Sequence, residues 1–282
     1  MELKTGASEM EIVEQSIGAA HNSVMREILN DGVFKQIEVE PGKWMDTWEY
    51  PEPITTIVKR PLLPPFASDA LPYGPGFLEQ YRKDMITVTH STEEGFRYTY
   101  PRRLFDYPVK KNMGHYDFGG NDRYVDAGNG DGMGFDQIQA LVNKLVKNPE
   151  SRRALAITWV PTIDAEAVEP PCLQFVHIIV RDNLSLYNEQ FPGAIAKYED
   201  VMHGPWCLSL RAAFRSHDML LGAGPNWVAL SGLQAHIATM LSRQVGQPIG
   251  VDQMVTFSSN AHIYVKAQSD EIKAFKKVLR IS

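Results

Sequence analysis

Apolar and polar residues recur along the chain with two periods, and the switches between them mark out its elements. Met10, Val13, Ile17, Val24 and Ile28 fall at helical spacing behind Ser8-Glu9-Met10-Glu11, a capping box that can satisfy the first free amides of a helix. Gly32 offers a stop, so the pattern predicts an amphipathic helix over residues 9–30. Val33–Glu40 and Ile54–Lys59 alternate with period two and read as strands. The Pro-rich passage from Arg60 to Gly76 excludes a long helix. A short helix over Phe77–Met85 follows, then a hairpin of Ile86–His90 and Phe96–Tyr100. Helical spacing returns over Phe135–Lys147 through Ile138, Leu141 and Leu145. Ala154–Val160, Leu173–Val180 and Cys207–Phe214 read as strands, and Pro225–Val245 as a long apolar helix. Val251–Ser258 and Ala261–Lys266 are further strands, and Ser269 caps a last helix.

Between these elements lie two stretches without period. Met113–Gly134 holds seven glycines and reads as a mobile loop or lid. Its piece Asp-Ala-Gly-Asn-Gly-Asp-Gly lacks the acidic spacing and closing Glu of a calcium loop, so no metal is expected there. Phe191–Trp206 shows little pattern and reads as an excursion. No repeat, linker or charge block divides the chain. The expectation is one domain, residues 1–282, of α/β (α+β) class.

Composition narrows the function. A formal net charge of -6 argues against an extended nucleic-acid surface, which needs a basic excess. No apolar run is long enough to cross a bilayer, and the start of the chain lacks the apolar core of a signal peptide, so a cytoplasmic protein is expected. Cys172 and Cys207 alone make neither a disulfide framework nor a cysteine-built zinc site.

The stretch Phe214–Leu230 concentrates the candidate chemistry. Arg215, Ser216 and Asp218 stand at a strand end, a Gly-rich turn follows, and Asn226 opens the apolar helix. Arg215 and Ser216 can both donate to phosphate oxygens. Asn226 sets a donor beside an acceptor, as reading the edge of a flat heterocycle requires. Read blandly, the same residues are a strand–turn–helix with a surface Arg and a capping Asn. Cys172, after Pro170-Pro171, is either an inert buried thiol or a nucleophile whose thiolate a cation such as Arg215 stabilises. Arg152 and Arg153 are a solvated pair or a second phosphate contact. His262 and Tyr264 point to one face of a strand, as core polar groups or as a grip on a sugar hydroxyl.

Pro-Pro-Cys (170–172), then Phe-Arg-Ser-x-Asp-x-x-Leu-Gly-x-x-x-Asn (214–226), then Asn-Ala-His-Ile-Tyr (260–264) resemble thymidylate synthase and its relatives, the deoxypyrimidine hydroxymethylases. Supporting pieces are residues 151–159, 136–138 and 98–104, and the resemblance covers about residues 96–266. It implies a thymidylate synthase-like fold: one large mixed sheet, helices packed on one side, and a sheet face forming a homodimer interface. Cys172 would add to C6 of a uracil ring, activating C5 toward the methylene of 5,10-methylenetetrahydrofolate, the co-substrate. Arg215 and Ser216 would hold the phosphate of dUMP, and Arg152 and Arg153 would reach it from the partner protomer. Asn226 would pair with O4 and N3–H of the base; Asp218 would organise the pterin and ordered water. Tyr100 would assist proton removal at C5, and His262 and Tyr264 would bind the 3′-hydroxyl.

The chain departs from that family pattern in several places. Leu173 stands where the family usually has His, and residues 184–206 look inserted. The helix with the water-organising Glu is not evident, leaving Glu49, Asp69 and Glu79 as guesses. No Trp pair shields the folate methylene, the final Lys-Val-Leu-Arg-Ile-Ser is not the family's small apolar tail, and only Lys43 or Arg60 could replace a phosphate-binding Arg near the N-terminus. Weaker shielding tilts the expected product slightly toward hydroxymethyl-dUMP over thymidylate, with dCMP hydroxymethylation a further alternative. A nucleotide-binding homologue without catalysis is one rival. The other is an unrelated Cys hydrolase using His177, His217 or His262 as base.

Overall fold

The structure, a computed structural model, describes residues 10–87, 99–108, 134–182 and 206–281. Its frame is a six-stranded mixed sheet of β1 (Met10–Glu14), β4 (Ile54–Val58), β9 (Ile249–Ser258), β7 (Trp206–Phe214), β6 (Leu173–Asp182) and β5 (Leu155–Ile157), in that spatial order. A second sheet of β2 (Val33–Glu40), β3 (Lys43–Glu49), β10 (Ala261–Tyr264) and β8 (His217–Asp218) adds to the one large sheet expected.

Met10–Glu14 is a strand, not the start of the expected helix. It pairs in parallel with Ile54–Val58, and the residue it buries is Ile12, which lies off the helical stripe. The helix α1 begins at Ile17 and ends at Asp31; extended Ser16 caps it by accepting from the Ala19 amide. β3 was not foreseen, although Pro41-Gly42 is a turn signal and Gly42 takes the left-handed φ of 79° that closes the β2–β3 hairpin. α2 (Pro75–Asp84) follows the Pro-rich passage. α3 (Tyr100–Phe105), capped by Thr99, puts Tyr100 on a helix rather than at a strand end. The remainder of the expected hairpin, the glycine-rich loop before Gly134 and the excursion before Trp206 lie outside the described residues.

α4 (Gln137–Lys147) is capped by Asp136, and the short α5 (Pro161–Asp164) follows β5. α6 (Ala223–Val245) is apolar on most sides because it runs through the centre: Trp227, Leu230, Leu233, Ile237 and Leu241 are all buried. A Cβ at Gly224 would stand 2.8 Å from Leu71 Cδ1 and 2.9 Å from His21 Nδ1, so only glycine lets α6 meet α1 this closely. α7 (Ser269–Leu279) has Gln268 at its cap position, and Ser269 is its first helical residue rather than the cap.

The six-stranded sheet has two unequal faces. One is buried through residues such as Ile54, Met254, Leu210, Ile178 and Ala156. On the other, two rungs cross every strand: Leu155, His177, Arg211, Val255, Ile57, Val13 and Ile157, Phe175, Ala213, Phe257, Thr55, Glu11. Leu155, Ile157, Phe257 and Val13 in these rungs are exposed.

The two sheets join where β7 and β9 leave the larger one together. Phe214 and Ser258 are their last pair; the chain then crosses through Arg215-Ser216 and Ser259-Asn260, and His217-Asp218 runs parallel to Ala261-His262 in the smaller sheet. A register shift between Leu173 and Phe175 kinks β6 beside the same junction. Cys172, Arg215, Asp218 and His262 are therefore gathered by topology.

Candidate active site

Cys172 and Arg215 meet at the sheet junction. The Arg215 amide donates to the Cys172 carbonyl at 2.9 Å, locking the two strand ends together. Its guanidinium donates through Nε to Pro171 O at 3.1 Å and through Nη2 to Pro170 O at 2.7 Å, and Nη2 lies 3.9 Å from Cys172 Sγ. The two prolyl carbonyls thus aim the cation at the sulfur, while exposed Arg215 keeps further donors for an anion. Burial nevertheless pushes the Cys172 thiol up, against the lowering by Arg215, and the carboxylates of Asp218 and Glu169 push the same way as burial. The expected cation is in place, but the thiol of the unliganded site rests protonated.

Tyr100 lies alongside: its hydroxyl accepts from the Leu173 amide, one residue past the thiol, at 3.3 Å. The α3 helix that carries it is held by a buried ion pair, Arg103 Nη2 to Asp164 Oδ1 at 2.7 Å, whose other oxygen accepts from the Val160 amide at 2.6 Å. Leu173 itself is fully buried in the core, so its side chain does no polar work here.

Asp218 opens the turn into α6. Its Oδ1 accepts from the amides of Leu220 and Leu221 at 3.0 and 3.3 Å, and its Oδ2 from Gln268 Nε2 at 2.6 Å. Burial pushes this carboxyl up and pulls His262, its neighbour across β8 and β10, down. His262 and Tyr264 do share one face, with ring centroids 5.0 Å apart. Asn260 Oδ1 faces His262 Nδ1 at 3.0 Å, and Asn260 in turn donates to Glu49 at 3.0 Å. His21 supports the turn from below by donating from Nε2 to Met219 O at 2.7 Å.

Asn226 sits in the first turn of α6 with both ends of its amide engaged. Tyr81 donates its hydroxyl to Oδ1 at 3.1 Å, and Nδ2 lies 3.3 Å from His217 Nε2. The His217 ring is buried, stacked on Phe214 at 3.8 Å, and its Nδ1 lies 3.0 Å from Ser258 Oγ. Burial pulls its pKa down to about 3 and pushes the Tyr81 phenol up to about 12. Sequence reading missed Tyr81, Gln268 and this role of His217. The spacing of Tyr73, Phe77 and Tyr81 was a usable signal. Those rings stack from just before α2 into the helix, with centroids 4.5 and 6.1 Å apart; burial raises the Tyr73 phenol, and Asp218 pushes the same way.

Ser216 is half-buried beside Arg215. Arg152 and Arg153 are exposed and line a shallow cavity of ≈ 370 Å³ with Asn148, Glu150 and Ser151. The Arg152 carbonyl accepts from His177 Nε2 at 3.2 Å, which places it five residues along β6 from Cys172, roughly 17 Å at strand rise. Of the guessed acids, Glu49 is tied to Lys35 and Asn260, and Glu79 pairs with Arg82 and Lys83. Lys43 pairs with Glu40 next to the β2–β3 turn. Neither His177 nor His217 serves the sulfur: the first bonds the Arg152 carbonyl, the second is spent on Asn226 and Ser258. No group of three or more His, Cys, Asp or Glu placed to hold a metal occurs among the described residues, and no helix among them is long and apolar enough to cross a membrane.

The site thus sets a thiol beside a guanidinium, with an oriented amide on the adjacent helix. Residues 88–280 match thymidylate synthase, and the chain belongs to that family. A Methanocaldococcus jannaschii protein named "Putative thymidylate synthase" is 28% identical over 269 residues, covering 94% of this chain and 95% of its own. Proteins of the same name from Methanococcoides burtonii and Methanosarcina barkeri are 32% and 27% identical over 187 residues, 66% of this chain and 61% of theirs.

Proposed function

We propose that the protein transfers a one-carbon unit from 5,10-methylenetetrahydrofolate to C5 of dUMP through a covalent bond between Cys172 and C6. The observation that carries this reading is Arg215, fixed by two carbonyls with its Nη2 3.9 Å from the sulfur. In this reading the spare donors of Arg215, with Ser216, bind the phosphate, and His262 and Tyr264 the 3′-hydroxyl. The thiol gives up its proton to solvent and the thiolate attacks C6, the displaced electron pair moves toward O4, and the Asn226 amide steadies that oxygen and N3–H. Tyr100, whose hydroxyl accepts from the Leu173 amide beside the nucleophile, helps remove the C5 proton, and the sulfur then leaves as the C5–C6 double bond re-forms. Covalent addition divides one difficult substitution into accessible steps.

The residues present suit a folate. Phe77 offers a 48% exposed ring in the aromatic stack that ends at Asn226, a surface for a flat pterin, and Asp218 offers a carboxylate nearby. Bound there, the folate supplies the methylene and, for a methyl product, the hydride. The sequence tilted the product slightly toward hydroxymethyl-dUMP; the names of the archaeal relatives support thymidylate instead.

The open rungs of the six-stranded sheet support a homodimer, with a second copy covering Leu155, Ile157, Phe257 and Val13. Arg152 and Arg153, far along β6 from their own Cys172, then serve the partner's phosphate site. Mass spectrometry of the product formed from dUMP and methylenetetrahydrofolate tests the reading. Thymidylate supports it, a hydroxymethyl product corrects the final step, and unchanged dUMP beside tight binding favours a homologue without catalysis.

A further inference from the structure

An asparagine amide that is free to turn over reads two bases. With one orientation it offers a donor to O4 and an acceptor to N3–H of uracil; turned by 180° it matches the amino group and bare N3 of cytosine equally well. Asn226 alone therefore does not decide between dUMP and dCMP. We propose that Tyr81 and His217 clamp the Asn226 amide in the uracil-reading orientation, making them specificity-determining residues of this site. The inference rests on the nucleotide reading above and names what sets its base preference.

Two contacts from opposite sides hold the amide. Tyr81 is half-buried on α2, and its hydroxyl proton has Asn226 Oδ1 as acceptor at 3.1 Å. On the other side, a neutral imidazole has one donor and one acceptor nitrogen. Donation from His217 Nδ1–H to Ser258 Oγ at 3.0 Å leaves Nε2 as the acceptor, and it takes the Asn226 Nδ2–H at 3.3 Å. Turning the amide over would set Oδ1 against the Nε2 lone pair and Nδ2–H against the phenol proton. Full burial keeps His217 neutral, and stacking on Phe214 at 3.8 Å keeps its ring from rotating. Each amide atom retains one unused valence, a lone pair on Oδ1 and a hydrogen on Nδ2, which together match N3–H and O4. The clamp links α2, β8, β9 and α6, so the base preference is built into the scaffold.

Calorimetric affinities for dUMP and dCMP, with the full chain and three variants, test the clamp. Tyr81→Phe keeps the ring and removes its contact with Asn226; His217→Phe keeps an aromatic ring there and removes the contacts with Asn226 and Ser258. Both are expected to lower the dUMP:dCMP affinity ratio about tenfold, the scale of one net hydrogen bond. His217→Gln, whose carbonyl can stand where Nε2 accepts, is expected to restore most of the ratio. Circular dichroism checks that each variant is folded. Nitrogen-15 spectra of the unliganded wild type supply a readout that needs no variant: the His217 signal of an Nδ1–H tautomer is expected, and an Nε2–H tautomer overturns the clamp. A wild-type preference for dUMP that survives intact in folded Tyr81→Phe and His217→Phe overturns the clamp alone. A wild type that binds neither nucleotide overturns the nucleotide reading and the clamp with it.

Discussion

Arg215 Nη2 lies 3.9 Å from Cys172 Sγ, yet the sulfur's burial outweighs the cation and leaves the thiol above its ordinary range. The pair is therefore poised rather than ionised. Alkylation of Cys172 by iodoacetamide should be slower in the folded protein than in denatured protein at neutral pH. Its rate should keep climbing with pH beyond the point where a free thiol has levelled off, because only the thiolate reacts. Arg215→Ala removes the lowering influence and should slow alkylation further at any given pH. It should also weaken dUMP binding by about 10- to 100-fold, the worth of a charge-assisted hydrogen bond.

The Arg103–Asp164 ion pair ties α3, and with it Tyr100, to the segment after β5. Asp164→Ala takes its ion-pair partner from a buried guanidinium and should cost about 3–5 kcal/mol in urea unfolding. Arg103→Met with Asp164→Leu together should cost much less, since both charges leave the interior.

His21 and His217 are both fully buried and held neutral, with pKa values pulled from 6.5 to about 4 and about 3. The unfolded chain takes up protons that the folded chain refuses. The stability from keeping them neutral is therefore fully present above pH 6.5 and is lost as pH falls toward those folded values. Below pH 6.5 each histidine should contribute a loss approaching about 1.4 kcal/mol per pH unit, measured as urea unfolding free energy down to pH ~4.5.

Asn226→Asp exchanges the donor atom for a second acceptor. Preference should shift from dUMP toward dCMP by about tenfold or more. An unchanged preference in competition binding means the base is read elsewhere.

Most of the candidate site could be named from sequence because short motifs in a family-like order carry it. Cys172, Arg215, Asp218 and His262 sit at strand ends that period-two patterns bracket, and the topology brings them to one junction. The first helix was misplaced because Met10 and Val13 fit a helical period by chance, whereas pairing with β4 decided their fate. Tyr81 and His217 stayed hidden because their roles exist only across α2, β8 and α6, contacts that no local pattern encodes. The thiol's raised pKa was hidden for a similar reason, since it depends on how deeply the folded sheet junction buries the sulfur.

The central claim is a bond between Cys172 and C6 of a uracil nucleotide. Incubating the protein with 5-fluoro-dUMP and methylenetetrahydrofolate, denaturing it, and mapping the mass shift by peptide mass spectrometry tests that bond directly. The account predicts a denaturation-stable adduct on the peptide carrying Cys172, absent from Cys172→Ala, which still binds dUMP. No adduct on wild-type protein that binds dUMP tightly, or an adduct that persists in Cys172→Ala, contradicts it.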